Sequence, residues 1–169
     1  MVLTHEAILR ELAAGRLEID PLTDDQIGPA SIDLHLGDEI RVMDGGGDAV
    51  AVTDDADYRA ITQLRPLVRP YVLRPGETVL GITRERVRLP PDVAGWLEGR
   101  SRYARLGLMI HVTAGFIAPG VDSRQVLEMS NVAKHPLTIH PGVRLCQIVL
   151  QRCEGEAVYA GRFARQDRP

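Results

Sequence analysis

The chain has 169 residues, 20 Lys and Arg against 23 Asp and Glu for a net charge of −3, and 44% hydrophobic residues, a balance that suits one globular domain with its own core. No apolar run nears the roughly 20 residues of a membrane-spanning helix, and the acidic excess argues against a surface for nucleic acid or anionic membrane. Any anion site must therefore be a local cluster of arginines, since Lys134 is the only lysine.

The opening segment, MVLTHEAILRELAAG, is charged and amphipathic, unlike a secretory leader, so a cytoplasmic protein is expected. Thr4 can cap a helix whose apolar residues Ile8, Leu9, Leu12 and Ala13 recur at helical spacing, and Gly15 can end it. Residues 1–15 are thus read as an N-terminal helix, the one convincing helix of the chain. Short alternating runs follow. Ser31–Leu36, Thr78–Thr83, Val93–Glu98, Leu106–Val112, Gln125–Asn131, Leu137–Ile139 and Arg144–Leu150 are strand candidates. Pro75-Gly76, Pro90-Pro91-Asp92, Pro119-Gly120 and Pro141-Gly142 supply turns between them. Many short strands behind one helix predict a β sandwich or barrel. Asp44–Pro70 reads as a variable surface loop; its Gly45-Gly46-Gly47 run lacks the Lys-Ser/Thr pair of a phosphate loop. Cys146 and Cys153, with six residues between them, match no usual zinc spacing, and two thiols make no disulfide framework.

Four segments carry candidate chemistry. Glu98–Gly107 places Arg100, Ser101, Arg102 and Arg105 just after a glycine. Guanidinium groups suit multidentate phosphate recognition, although the same run serves equally well as a solvated charged strip. In Gly120–Asn131, alternation puts Val126, Glu128 and Ser130 on one strand face and Leu127, Met129 and Asn131 on the other. A mid-strand carboxylate such as Glu128 is either a solvent-facing residue or a general base in a pocket, and position alone does not decide. His111–Ile117 runs a strand into a glycine turn whose backbone could read the edge of a base; His111 itself reads as a hydrogen-bonded structural residue. The tail, residues 156–169, reads by itself as a frayed basic terminus.

In order and spacing these segments resemble the dCTP deaminase/dUTPase family over nearly the whole chain. The resemblance rests on Pro29-Ala-Ser-Ile-Asp33-Leu-His-Leu36, Pro75-Gly-Glu-x-x-Leu80, Gly99-Arg-Ser-x-x-Ala-Arg-Leu-Gly107, Thr113-Ala-Gly-Phe-Ile117, Leu127-Glu128, Pro141-Gly-x-x-x-x-Gln147 and a tail bearing Arg162, Phe163 and Gln166. It implies a mainly β, dUTPase-like distorted barrel with one N-terminal helix, spanning residues 1–169 as a single domain. It also implies a homotrimer with sites shared between subunits. Hydrolytic deamination of dCTP to dUTP and ammonia is the expected activity, without zinc. Glu128 is implied as the general base, with Ser101, Arg105 and the backbone carbonyl of Ala114 holding the water. Arg100, Ser101, Arg102, Tyr103, Ala104, Arg105, Ala118, Val126, Leu127, Glu128, Tyr159, Arg162 and Gln166 are implied to surround the substrate. Mg²⁺ would come with the triphosphate, and dUTP or dTTP could bind as product or regulator. The zinc-deaminase signature His-x-Glu…Pro-Cys-x-x-Cys is absent from the sequence.

Three positions depart from the family pattern. Ala118 stands where many relatives carry Asp, Arg102 where a second serine is usual, and Ser123 where glycine is usual. In dUTPases and bifunctional deaminase-diphosphatases of the family that Asp is tied to the deoxyribose and to the water that attacks phosphorus. Ala118 therefore favours release of dUTP over the alternative, a bifunctional dCTP deaminase/dUTP diphosphatase or a dUTPase. A non-catalytic nucleotide-binding regulator of the same fold is a further alternative.

Overall fold

The computed structural model describes residues 1–43 and 45–169; Asp44, the first residue of the expected loop, lies outside them. Helix α1 (His5–Ala13) buries Ile8 against the sheet. Thr4 holds the N-cap position without a side-chain cap bond. The helix stops as expected at Gly15, whose φ of 65° lies in the left-handed region that a Cβ disfavours.

The strands after it are β1 (Glu18–Asp20), β2 (Ile32–Met43), β3 (Thr62–Pro66), β4 (Tyr71–Leu73), β5 (Thr78–Arg88) and β6 (Val93–Gly99). The short helix α2 (Ser101–Ala104) follows, then β7 (Leu108–Met109), β8 (Phe116–Ile117), β9 (Asp122–Asn131), β10 (Leu137–Ile139) and β11 (Arg144–Arg152). Nine strands form one curled antiparallel sheet in the order β7-β9-β5-β2-β11-β6-β8, with β1 added to β5 and β3 to β2; β4 and β10 pair separately. The result is the mainly β, distorted-barrel architecture that the turn-punctuated alternation predicts. Ile32, Leu34 and Leu36 of β2, Leu127 and Met129 of β9, and Ile148 and Leu150 of β11 point into one core and are fully shielded from solvent.

Three expectations need correction. The segment read as a loop through Pro70 contains a 3₁₀ turn (Tyr58–Ile61) and then β3, which pairs residue by residue with Glu39–Met43. In the run Thr62-Gln-Leu-Arg-Pro only Thr62 is buried, so its apolar pattern is weak, and pairing with β2 rather than that pattern makes it a strand. The second helix, α2, is also absent from the sequence reading. Its four residues are too few for a 3.6-residue period to show. The strand expected over Leu106–Val112 shrinks to β7, because Leu106 and Gly107 still complete the turn that closes α2.

Candidate active site

β9 carries the centre of the site. The alternation read from its sequence is observed: Leu127, Met129 and Asn131 are buried, while Val126, Glu128 and Ser130 face outward and are half-buried. Glu128 stands opposite Leu80 of β5, and a bulge between Ile82 and Arg86 shifts the register just beyond it. The Thr83 hydroxyl bridges that bulge, accepting from the Gln125 amide N–H (2.9 Å) and donating to the Glu85 carbonyl (2.7 Å). Bulges of this kind re-aim side chains, and here Gln125 and Val126 both reach the outer face beside Glu128.

A cavity of about 420 Å³ lies over this face. Of the residues expected around a substrate, Glu128, Ala114, Ala118, Val126, Tyr159 and Gln166 line it. Glu128 is the sole carboxylate on the wall among the described residues. His111 Nδ1 lies 2.7 Å from Glu128 Oε2, and the His111 side chain is only 9% exposed. Its Nε2 is the one buried side-chain polar atom without a partner among the described residues. An orphan of this kind costs about 1–3 kcal/mol and is the sort of group found where a substrate, water or second subunit supplies the missing bond. His111 is thus hydrogen-bonded, as read from the sequence, but its partner is the candidate base itself.

The tail closes the cavity. Gly120 turns the chain into β9 with φ of 71°, and a Cβ there would stand 2.8 Å from Val158; only glycine lets the tail pass so close. The Tyr159 N–H then donates to the Pro119 carbonyl (2.9 Å) and the Arg124 N–H to the Gln166 carbonyl (3.0 Å). Phe163 completes the lid from the tail, and Tyr58 reaches in from the 3₁₀ turn.

Several implied site residues are elsewhere. Leu127 is wholly buried on the core side of β9. Ser101, Arg102, Tyr103, Ala104 and Arg105 all sit on or beside α2, and none of them lines the cavity of its own chain. Arg100 is an anchor here: its guanidinium lies 3.2 Å from the Asp33 carboxylate and 3.3 Å from the Arg144 carbonyl. Arg162 lies in an adjoining cleft. Tyr58, Phe116 and Gln125 are cavity residues that sequence reasoning missed: Tyr58 lies in a segment with no motif, and Phe116 and Gln125 lie in motif segments whose local pattern does not tell which side chains reach the cavity. Asp122, the nearest carboxylate to position 118 in sequence, points away and is paired with Arg86 at 2.7 Å. Among the described residues, no three His, Cys, Asp or Glu side chains gather in a way that could hold a metal ion, and no helix is long and apolar enough to cross a membrane.

The "dCTP deaminase-like" family model matches residues 2–153. The chain is 42% identical to "dCTP deaminase, dUMP-forming" of Rhodococcus opacus, over 93% of this chain and 84% of that one. It is 44% identical to the protein of that name from Nocardia farcinica, over 93% and 79%. The crystal structure of 2'-deoxycytidine 5'-triphosphate deaminase from Agrobacterium tumefaciens superposes with a TM-score of 0.70 at 25% identity, over 89% of this chain and 48% of that longer one. The native EIAV dUTPase shares the fold at 16% identity with a TM-score of 0.54, over 86% and 95%. Relatives from Methanosphaera stadtmanae and Parafrankia, both 39% identical, also bear the dUMP-forming name. These names overturn the expectation, built on Ala118, of an enzyme that releases dUTP. One missing carboxylate removes one contact, whereas similarity along the whole chain reports on the entire pocket. On the family match and this identity, the chain belongs to the dCTP deaminase-like family.

Proposed function

We propose that the protein is a dUMP-forming dCTP deaminase, converting dCTP and two waters to dUMP, ammonia and pyrophosphate. The observation that carries the reading is Glu128, a lone carboxylate on the wall of a cavity, held by His111, in a chain similar throughout to enzymes of that name. Glu128 takes a proton from water as the oxygen bonds to C4 of the cytosine. The resulting carboxylic acid returns that proton to the ring or the amine, and the C4–N bond breaks to release ammonia. General acid–base transfer of this type contributes about 10²–10⁴-fold in rate. Ala114, on the cavity wall beside the base, supplies a backbone carbonyl to orient the water. A second water attacks the α-phosphorus, and the bond to the β-phosphate breaks.

The site is completed in a homotrimer. α2 exposes Ser101, Arg102 and Arg105, which serve no cavity in their own chain. Glu128 also opens onto a second cleft, of about 860 Å³, between Met43, Arg74, Thr78, Val112 and Ser130, which has room for α2 of another copy. The exposed rings of Trp96 and Phe116, with centroids 5.0 Å apart, are apolar surface of the kind that an assembly covers. Mg²⁺ would come with the triphosphate as part of the substrate and would neutralise its oxygens.

Incubation with dCTP and Mg²⁺, following ammonia, dUMP, dUTP and pyrophosphate separately, tests the reaction. Ammonia, dUMP and pyrophosphate should rise together; accumulation of dUTP without pyrophosphate would overturn the product assignment.

A further inference from the structure

Gln125 is a cavity residue that the chemistry at Glu128 does not use. It stands on β9 opposite the bulge of β5 between Ile82 and Arg86, and it is pinned at two points. Its backbone N–H donates to the Thr83 hydroxyl (2.9 Å). Its side-chain Nε2 donates to the Ser123 carbonyl (3.0 Å) and to the Ser123 hydroxyl (3.2 Å). Ser123 is only 3% exposed, so this anchor is set in packed surroundings. A carbonyl oxygen can only accept, which fixes the amide with its nitrogen on Ser123 and its oxygen turned the other way. The hydroxyl half of the anchor exists because serine stands at 123 in place of the usual glycine.

Among the described residues no group donates to Gln125 Oε1. The residue is half-buried, and His111 Nε2 is the one buried side-chain polar atom without a partner, so Oε1 is accessible on the cavity side. Ile117, Ala118, Val121 and Val126 present only apolar side chains to the same cavity. An oriented acceptor in such a wall loses its water when a ligand enters, and it then favours a ligand that brings a donor. Distance identifies the donor. The cavity runs along β9 from Glu128 past Val126 and Gln125 to Ser123. Strands rise about 3.3 Å per residue, so the three positions from Glu128 to Gln125 cover roughly 10 Å. A cytosine whose C4 lies at Glu128 keeps its amino group there, out of reach of Gln125. The pyrimidine ring and its sugar extend over that separation, and the sugar of a 2'-deoxynucleoside 5'-triphosphate has one hydroxyl, at C3'.

We propose that Gln125 determines sugar specificity in this site: its Oε1 accepts a hydrogen bond from the 3'-hydroxyl of the nucleotide, and Ser123 is the positioning residue that holds the amide for it. The assignment rests on the deaminase reading, which puts C4 of the base at Glu128.

Calorimetric titration with dCTP and with 2',3'-dideoxycytidine triphosphate tests it, since the two ligands differ only in the 3'-hydroxyl. The titrations use Glu128→Gln protein, which leaves both ligands intact, and the same protein carrying Gln125→Met or Ser123→Ala. With Gln125 present, dCTP should bind about tenfold more tightly than the dideoxy ligand, as expected when a site that bonds a ligand hydroxyl meets an analogue without it. Gln125→Met keeps the length of the side chain and removes both its polar atoms. It should bind dCTP about tenfold more weakly and distinguish the two ligands by less than about twofold. Ser123→Ala leaves the amide in place but loosens it, and discrimination should fall to about threefold. The first comparison changes neither position 125 nor position 123, so a folding defect in a variant can neither produce nor mask it. Equal affinity for the two ligands there would overturn the sugar contact. Full discrimination in Gln125→Met would overturn Gln125 as its source, and full discrimination in Ser123→Ala would overturn the positioning role. Ammonia release from dCTP by the wild type is followed separately. The expected discrimination without any ammonia would sink the deaminase reading and leave the Gln125 contact standing; ammonia without discrimination would do the reverse.

Discussion

Glu128 and His111 form the smallest unit from which chemistry can be argued. A carboxylate 29% exposed on a strand face is ordinary; one whose Oε2 lies 2.7 Å from a nearly buried imidazole is held in a single orientation. Replacing it as Glu128→Gln keeps the shape and removes the base. Ammonia release should then fall by about 10²–10⁴-fold while dCTP still binds, measured by single-turnover assay and calorimetry; substantial turnover by the variant would end the assignment. His111→Asn takes away the partner but not the base. It should lower kcat by roughly tenfold and leave KM within about threefold, as expected of a positioning residue. The thiols divide at the same scale. Cys146 is wholly buried, and burial pushes its thiol pKa up, whereas Cys153 is partly exposed. Under native conditions one thiol per chain should react with a thiol reagent, and denaturant should release the second.

At the scale of elements, α1 and the tail are fastened differently. Glu11 of α1 is bonded by Arg16 (2.8 Å) and Arg152 (2.5 Å), and the same two arginines grip Asp92 just before β6. Burial works to raise both carboxyls, but hydrogen bonds and charge from the two arginines outweigh it and hold both below their ordinary values. Carboxyl groups lowered in this way add stability that is complete above their unfolded pKa, near 4, and is lost as pH falls through the lower folded values. Thermal stability should therefore drop with acid below about pH 4, and the drop should be shallower in Arg152→Met. The tail is tied mainly by backbone hydrogen bonds to Pro119 and Arg124 and by exposed pairs such as Arg86–Asp167. Exposed pairs contribute about 0–1 kcal/mol each. Truncation after Gly155 should leave the unfolding midpoint nearly unchanged while lowering kcat/KM for dCTP by at least about tenfold, since the lid residues Tyr159, Phe163 and Gln166 are removed.

For the whole molecule, the separation of α2 from the cavity of its own chain is what the proposed assembly answers. Sedimentation should give three times the mass of one chain. Inactive Glu128→Gln chains mixed and reassembled with inactive Arg105→Ala chains should regain activity at roughly a quarter of the sites, those that draw both intact residues from different subunits. A fully active monomer would rule this out.

The curled β architecture was legible because buried strands must alternate and turns must carry Gly, Pro or Asp: Leu127 and Met129 inward, Glu128 outward, and Gly15 at the helix end all follow from local rules. Glu128, Ala114, Ala118, Val126, Tyr159 and Gln166 were named from motif resemblance, and the fold brings these six to one cavity. β3 and α2 were not legible, since the first needs β2 as a partner and the second is shorter than any period can register. Arg100 reads as a ligand from its motif, yet Asp33, sixty-seven positions away in sequence, holds it as an anchor. The same holds for the His111–Glu128 contact, which joins β9 to the loop between β7 and β8. The sequence by itself determined which residue faces which side of its own element, because φ/ψ periodicity is local. Only the tertiary structure decided which elements share a face, because that depends on strand order and on where the tail crosses the sheet.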